Sequence, residues 1–75
     1  MKIKVTRINP LPQHIETIVD FFDEEQTEEN TWHSASIVLW LKREDVVKFS
    51  LQDFEHYAIQ EAHKFLSHVA NERIS

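Results

Sequence analysis

Residues 34–41 read Ser-Ala-Ser-Ile-Val-Leu-Trp-Leu, eight consecutive positions without a charge in a chain of 75 residues. In a strand the side chains alternate between faces, so Ala35, Ile37, Leu39 and Leu41 point one way while Ser34, Ser36, Val38 and Trp40 point the other. Both faces therefore carry apolar side chains. A chain this short has material for one layer of cover, which leaves the second face to find its own. The run reads as the central strand of a small sheet.

The neighbouring segments supply its partners. Residues 2–8 alternate Lys2, Lys4 and Thr6 against Ile3, Val5 and Arg7, a half-buried strand pattern. Pro10 and Pro12 end that pattern in a corner, because proline donates no ladder hydrogen bond and holds the preceding residue extended. Residues 15–22 read two ways. Leu11, Ile15, Ile18, Val19 and Phe22 would line one side of a helix spanning 12–24, with Pro12 in its first turn. The run of β-branched and aromatic side chains from Ile15 to Phe22 favours a strand. Residues 24–31 are polar and form a loop, residues 42–45 turn the chain, and residues 46–49 add a short fourth edge strand or an extended connector.

Ser50 opens the one well-marked helix. Its hydroxyl can cap the first turn, with Asp53 three residues on and near the positive helix end. From residue 51 to about 72, Leu51, Phe54, Ala58, Ala62, Phe65 and Val69 form an apolar stripe at three- and four-residue steps, with Ile59 and Leu66 at its margins. Phe54 and Phe65 lie eleven residues apart, about three turns, so both are expected to face the sheet. The fold class is then α+β: a single domain over 1–75, an antiparallel sheet of three strands, or four, with one C-terminal helix packed on one face. The alternative order is β-α-β-β-α, with its first helix at 12–24.

Pairing 15–22 with 34–41 across the acidic loop puts Ile15, Thr17 and Val19 on one face with Leu39, Ile37 and Ala35. The helix covers that face. The other face collects Glu16, Ile18, Asp20 and Phe22 beside Trp40, Val38, Ser36, Ser34 and Trp32. Ile18, Phe22, Trp32, Val38 and Trp40 are the candidate partner-binding residues, because three large aromatics on one uncovered face make an apolar patch near or above the largest that typical monomers expose.

Composition narrows the function classes. Thirteen Asp and Glu against eight Lys and Arg give a formal charge of -5, which argues against nucleic-acid binding through phosphates. Asp20, Asp23, Glu24, Glu25, Glu28 and Glu29 concentrate six of those acids in ten residues and form a candidate handle for a basic partner surface. They lack the alternating oxygen ligands and sharp-turn glycine of a calcium loop. The chain has no cysteine and no glycine, so it has neither disulfides nor a glycine-rich phosphate cradle. His56, His63 and His68 are spaced too far apart on the helix to converge on an ion. His68 with Glu72 and Asp53 with His56 have the spacing of ordinary helix surface pairs. Ser34 and Ser36 beside His33 lack the nucleophile elbow that would activate them.

No apolar stretch reaches the ~20 residues of a membrane span. The expectation is a cytoplasmic, non-enzymatic interaction module without cofactor, metal, small-molecule ligand, nucleic acid or membrane. It works as a homodimer or docks a protein partner through the sheet face opposite the helix. The alternative is a small acidic inhibitor or accessory protein presenting its carboxylate-rich loop to a basic surface. In size and acidity the chain resembles small phage-encoded accessory proteins, a likeness carried by style and by no motif residue.

Overall fold

A computed structural model of the chain describes residues 1–23 and 33–72. Three strands, β1 (Lys2–Pro10), β2 (His14–Phe22) and β3 (Ser34–Lys42), are followed by a single helical turn, α1 (Arg43–Val46), and a long helix, α2 (Leu51–Asn71). The sheet is antiparallel with spatial order β1-β2-β3. The architecture is α+β, a three-stranded open sheet with a C-terminal helix. The segment compatible with a helix at 12–24 is therefore strand β2, in keeping with its β-branched and aromatic side chains.

The β2–β3 register places Ile15 opposite Leu41, Thr17 opposite Leu39, Val19 opposite Ile37 and Phe21 opposite Ala35. This is the face that α2 covers. Its deepest positions lie on β2, where Thr17 and Val19 are fully buried and Phe21 nearly so. The helix reaches them through Ala58 and Ala62, both at 0% exposure, with Phe54 buried beside them. Small residues at these two positions let the helix backbone approach the sheet closely. The hydroxyl of Thr17, the one buried polar side chain in this core, donates to the Ile15 carbonyl at 3.4 Å.

Ser50 caps α2 as its position predicts. Its Oγ accepts from the Asp53 amide at 3.1 Å, satisfying one of the first-turn donors. At the other end the Glu72 amide donates to the Val69 carbonyl.

Several expectations are corrected. The uncharged run is an edge strand, not the central one, because β1 pairs with β2 and leaves β3 outermost. Residues 46–49 form no fourth strand. Arg43–Val46 is a helical turn instead, and it drives Val46 into the core at 4% exposure beneath Leu41. Arg43 fastens this corner to the β1–β2 turn: its amide donates to the Gln13 carbonyl at 3.1 Å and its guanidinium to the Leu11 carbonyl at 3.3 Å.

In β1 the alternation breaks at Thr6. Val5 pairs with Val19 and Arg7 with Ile18, so Thr6 is the extra residue of a β-bulge. Arg7 thereby moves to the polar face, and Ile8, opposite Thr17, joins the side that Ile3 and Val5 occupy.

Phe65 is the other departure. It lies within about 20° of Phe54 around the helix, yet it is 51% exposed, and Leu66 and Val69 beyond it are also exposed. Burial along α2 ends at Ala62. Beyond Ala62 the stripe meets open surface: Phe65 lines a groove with residues 38–41 at the β3 margin, and Leu66 lies near exposed Ala35.

The two phenylalanines are thus expected to behave differently. Phe54→Ala should cost about 3–5 kcal/mol, as a buried aromatic does, lowering the melting temperature by more than ~12 °C at this size. Phe65→Ala should shift it by no more than about 5 °C. Thermal melts of the two variants followed by circular dichroism check the helix register.

Candidate functional site

The sheet face opposite α2 can be built row by row from the strand registers. Phe22 lies between Lys2 and Ser34, then Asp20 between Lys4 and Ser36, Ile18 between Arg7 and Val38, and Glu16 between Asn9 and Trp40. Neighbouring strands lie about 4.8 Å apart and successive rows about 6.7 Å apart. Ile18, Val38 and Trp40 therefore form one contiguous apolar triangle. Trp40 is 59% exposed and Val38 47%. Ile18 on the central strand is half-buried by its neighbours.

The five residues expected to form one patch do not all meet. Phe22 is exposed on the same face, but it lies four residues from Ile18, about 13 Å along the strand. The row between them is polar. Ser36 Oγ donates to Asp20 Oδ1 at 2.6 Å, and Lys4 is the cross-strand neighbour of that carboxylate. Trp32 lies outside the described residues.

The charged residues near the triangle are ordered. Arg7 Nε lies 3.8 Å from Glu16 Oε1, an ion pair diagonal to the strand pairing. The bulge makes this pair, since an unbroken alternation would put Arg7 on the face under α2. The triangle is thus framed by the Arg7–Glu16 pair on one side and the Asp20–Ser36 hydrogen bond on another, a polar rim around an apolar centre.

The acidic handle is only partly within view. Asp20 and Asp23 are half-buried. Asp20 is engaged by Ser36, and the Asp23 amide continues the β2–β3 ladder by donating to the His33 carbonyl at 2.9 Å. Glu24, Glu25, Glu28 and Glu29 lie outside the described residues.

Among the described residues no three His, Asp or Glu side chains group to hold a metal ion. His68 Nε2 and Glu72 Oε1 are 3.4 Å apart, the helix surface pair their spacing predicts, and His63 stacks edge-on against Phe21 with ring centroids 5.7 Å apart. No described helix is long and apolar enough to cross a membrane.

A second apolar surface, which the helical stripe assigned to the core, opens along β3. Glu61, Lys64, Phe65 and His68 of α2 form one wall of an open groove, and residues 38–41 of β3 form the other. Leu39 is only half-buried there. The signal that would have located it is the change along the stripe from Ala58 and Ala62 to Phe65: small residues mark the close contact, and the large one follows where contact ends. Compared with known protein families, curated proteins and solved structures, the chain matches none of them.

Proposed function

We propose that this chain is a non-enzymatic protein–protein interaction module, self-associating or docking a protein partner through the sheet face opposite α2. The observation that carries this reading is the exposure of Trp40 beside Val38, 59% and 47%, on a sheet face that no other described element covers. Aromatic side chains bury 150–250 Å² each and act as interface anchors when they sit at the centre of a patch with a polar rim. Trp40 and Val38 hold that central position, and Arg7, Glu16, Asp20 and Ser36 hold the rim.

The backbone of this face is held by strand pairing. Trp40 stands on a strand hydrogen-bonded to the central strand, so little backbone ordering opposes association there. The chemistry of such a surface is burial rather than bond-making, and the proposal assigns no residue a catalytic role.

The expected outcome is that Trp40→Ala weakens association by about 2 kcal/mol or more, as loss of a central aromatic anchor does. Ile18→Asp should abolish it by placing a charge in the middle of the triangle. Sedimentation equilibrium of the free chain at ~100 μM, and of the chain with any captured partner, measures both. If neither variant changes either association, the face is not the docking surface.

Salt separates this reading from the acidic-handle alternative. Association through the apolar face should persist at ~0.5 M salt, where the Debye length is below ~5 Å. Binding carried by the carboxylates around Asp20 and Asp23 should fall steeply over the same range. A salt titration of the same association distinguishes the two.

A further inference from the structure

The two edges of the sheet are built differently. β1 carries Lys2, Lys4 and Arg7, a bulge at Thr6, and Pro10 as its last residue. Charges, bulges and prolines are the devices that prevent an edge strand from pairing with another chain. β3 has one charge, Lys42, and that is its last residue. From Ser34 to Leu41 it has no charge and no proline, its register against β2 is unbroken over nine pairs, and among the described residues nothing pairs with its outer edge. Its apolar content is also two-sided: Val38 and Trp40 are exposed on one face, and Leu39 is half-open beside Phe65 on the other.

From this asymmetry we propose that β3 pairs antiparallel with β3 of a second copy, joining two three-stranded sheets into one of six strands. The proposal rests on the reading of this protein as an interaction module but places self-association at the β3 edge, where Val38 and Trp40 meet their copies, and leaves Ile18 on the central strand outside the contact, so Ile18→Asp should spare this dimer. A two-fold axis beside Leu39 sets the register. Leu39 then faces its own copy, and Val38 lies opposite the partner's Trp40 on the outer face, an aromatic–β-branched cross-strand pair of a stabilising kind. Ile37 lies opposite the partner's Leu41 on the helix side.

The groove is consistent with that axis. Its strand wall, residues 38–41, is centred next to Leu39, and its helix wall, residues 61–68, is centred next to Phe65. A dyad through both would set Glu61 toward the partner's His68 and Lys64 toward the partner's Phe65. In a chain of net charge -5, this wall carries one acid, Glu61, and one base, Lys64, which already pair at 3.1 Å. This internal pair keeps the middle of the wall neutral, while His68 at its far end faces Glu72 at 3.4 Å, so two copies meet here without the repulsion of an all-acidic surface.

The area is sufficient. Trp40 and Phe65, each a little over half exposed, offer roughly 100 Å² apiece of the 150–250 Å² an aromatic side chain carries. With Val38, Leu39 and the backbone edge from both copies, the pair buries on the order of 1,000 Å², at the lower end for a specific interface. The dimer should accordingly form in the micromolar range.

Amide exchange followed by NMR at ~20 μM and ~1 mM, with mass by light scattering, tests the proposal on the unaltered chain. Doubling of the mass should be accompanied by at least ten-fold slower exchange at alternate residues of β3, those whose N–H groups point away from β2. Val38→Lys should return both to their dilute values while circular dichroism stays unchanged. The register has its own test, because the chain has no cysteine. Leu39→Cys should form a disulfide-linked dimer on mild oxidation, since facing residues of antiparallel strands have Cα atoms about 4.5–5.5 Å apart. Ser34→Cys, far from the axis, should not.

A doubled mass without new protection in β3 overturns edge pairing, and loss of that mass in Ile18→Asp would then leave the face reading standing. A mass that stays that of one chain at ~1 mM overturns pairing with a second copy. If in addition Trp40→Ala and Ile18→Asp leave every partner association unchanged, the face reading fails as well.

Discussion

The core of this molecule depends on Ala58 and Ala62, the two fully buried residues that α2 contributes against the sheet. With no side chain larger than a methyl at these two positions, α2 settles onto β2 and buries Thr17 and Val19 completely. Phe54, Ile37 and Leu41 then close the core on either side, and Val46 seals its lower end. The helix touches all three strands, yet the side chains of the central strand are buried most completely and those of the outer strands less so. Ile3 and Val5 on β1 and Leu39 on β3 are all only half-buried. A single helix against three strands therefore leaves three kinds of open surface: the outer face, the β3 margin, and the end of α2 beyond Ala62.

The bulge at Thr6 decides which of these surfaces is charged. It turns Arg7 out from beneath the helix, pairs it with Glu16 on the outer face, and brings Ile8 to the core side in its place. One inserted residue thus keeps Arg7 off the helix side and supplies a rim charge beside Ile18, while Ile8 itself stays 38% exposed. β2, enclosed between two strands, needs no such correction and keeps strict alternation over His14–Phe22. The regularity of β3 contrasts with β1 at the same rank in the sheet.

Much of this was legible in the residues, and what was not has physical causes. The strand identities, the pairing of β2 with β3, the partition of their side chains between faces and the Ser50 cap all follow from local pattern, because period-two alternation and capping chemistry act over a few residues. Strand order is not local. Nothing in Ser34 to Leu41 distinguishes a central strand from an uncovered edge, since both are apolar on two faces, and the bulge at Thr6 leaves only the misplaced Arg7 as its trace. Phe65 was misread for a related reason. Angular position around a helix is written in the spacing, but where the sheet beneath it runs out is a tertiary fact. That Ile18, Val38 and Trp40 share the outer face follows from alternation alone. Phe22 was grouped with them because a face has two dimensions, and residue alternation reports only one.

Domains of this size bury a smaller fraction of their surface than larger ones and hold a correspondingly narrow margin of stability. A hydrophobic side chain left in water on such a domain is therefore a costly choice unless it does something. Replacing Trp40 and Val38 by polar strand residues would remove apolar exposure without touching a core that consists of Val19, Phe21, Ile37, Leu41, Val46, Phe54, Ala58 and Ala62. The same replacement on β1 has already been made, in Lys2, Lys4 and Arg7. Two edges of one sheet, under the same need to avoid promiscuous pairing, differ in every protective feature: charge, bulge and proline on one side, none over eight residues on the other. Stability alone gives no reason for that difference, because both strands contact α2 and both contribute to the same core. Association gives one, since a surface kept clear of charge on one edge and crowded with it on the other directs pairing to a single side.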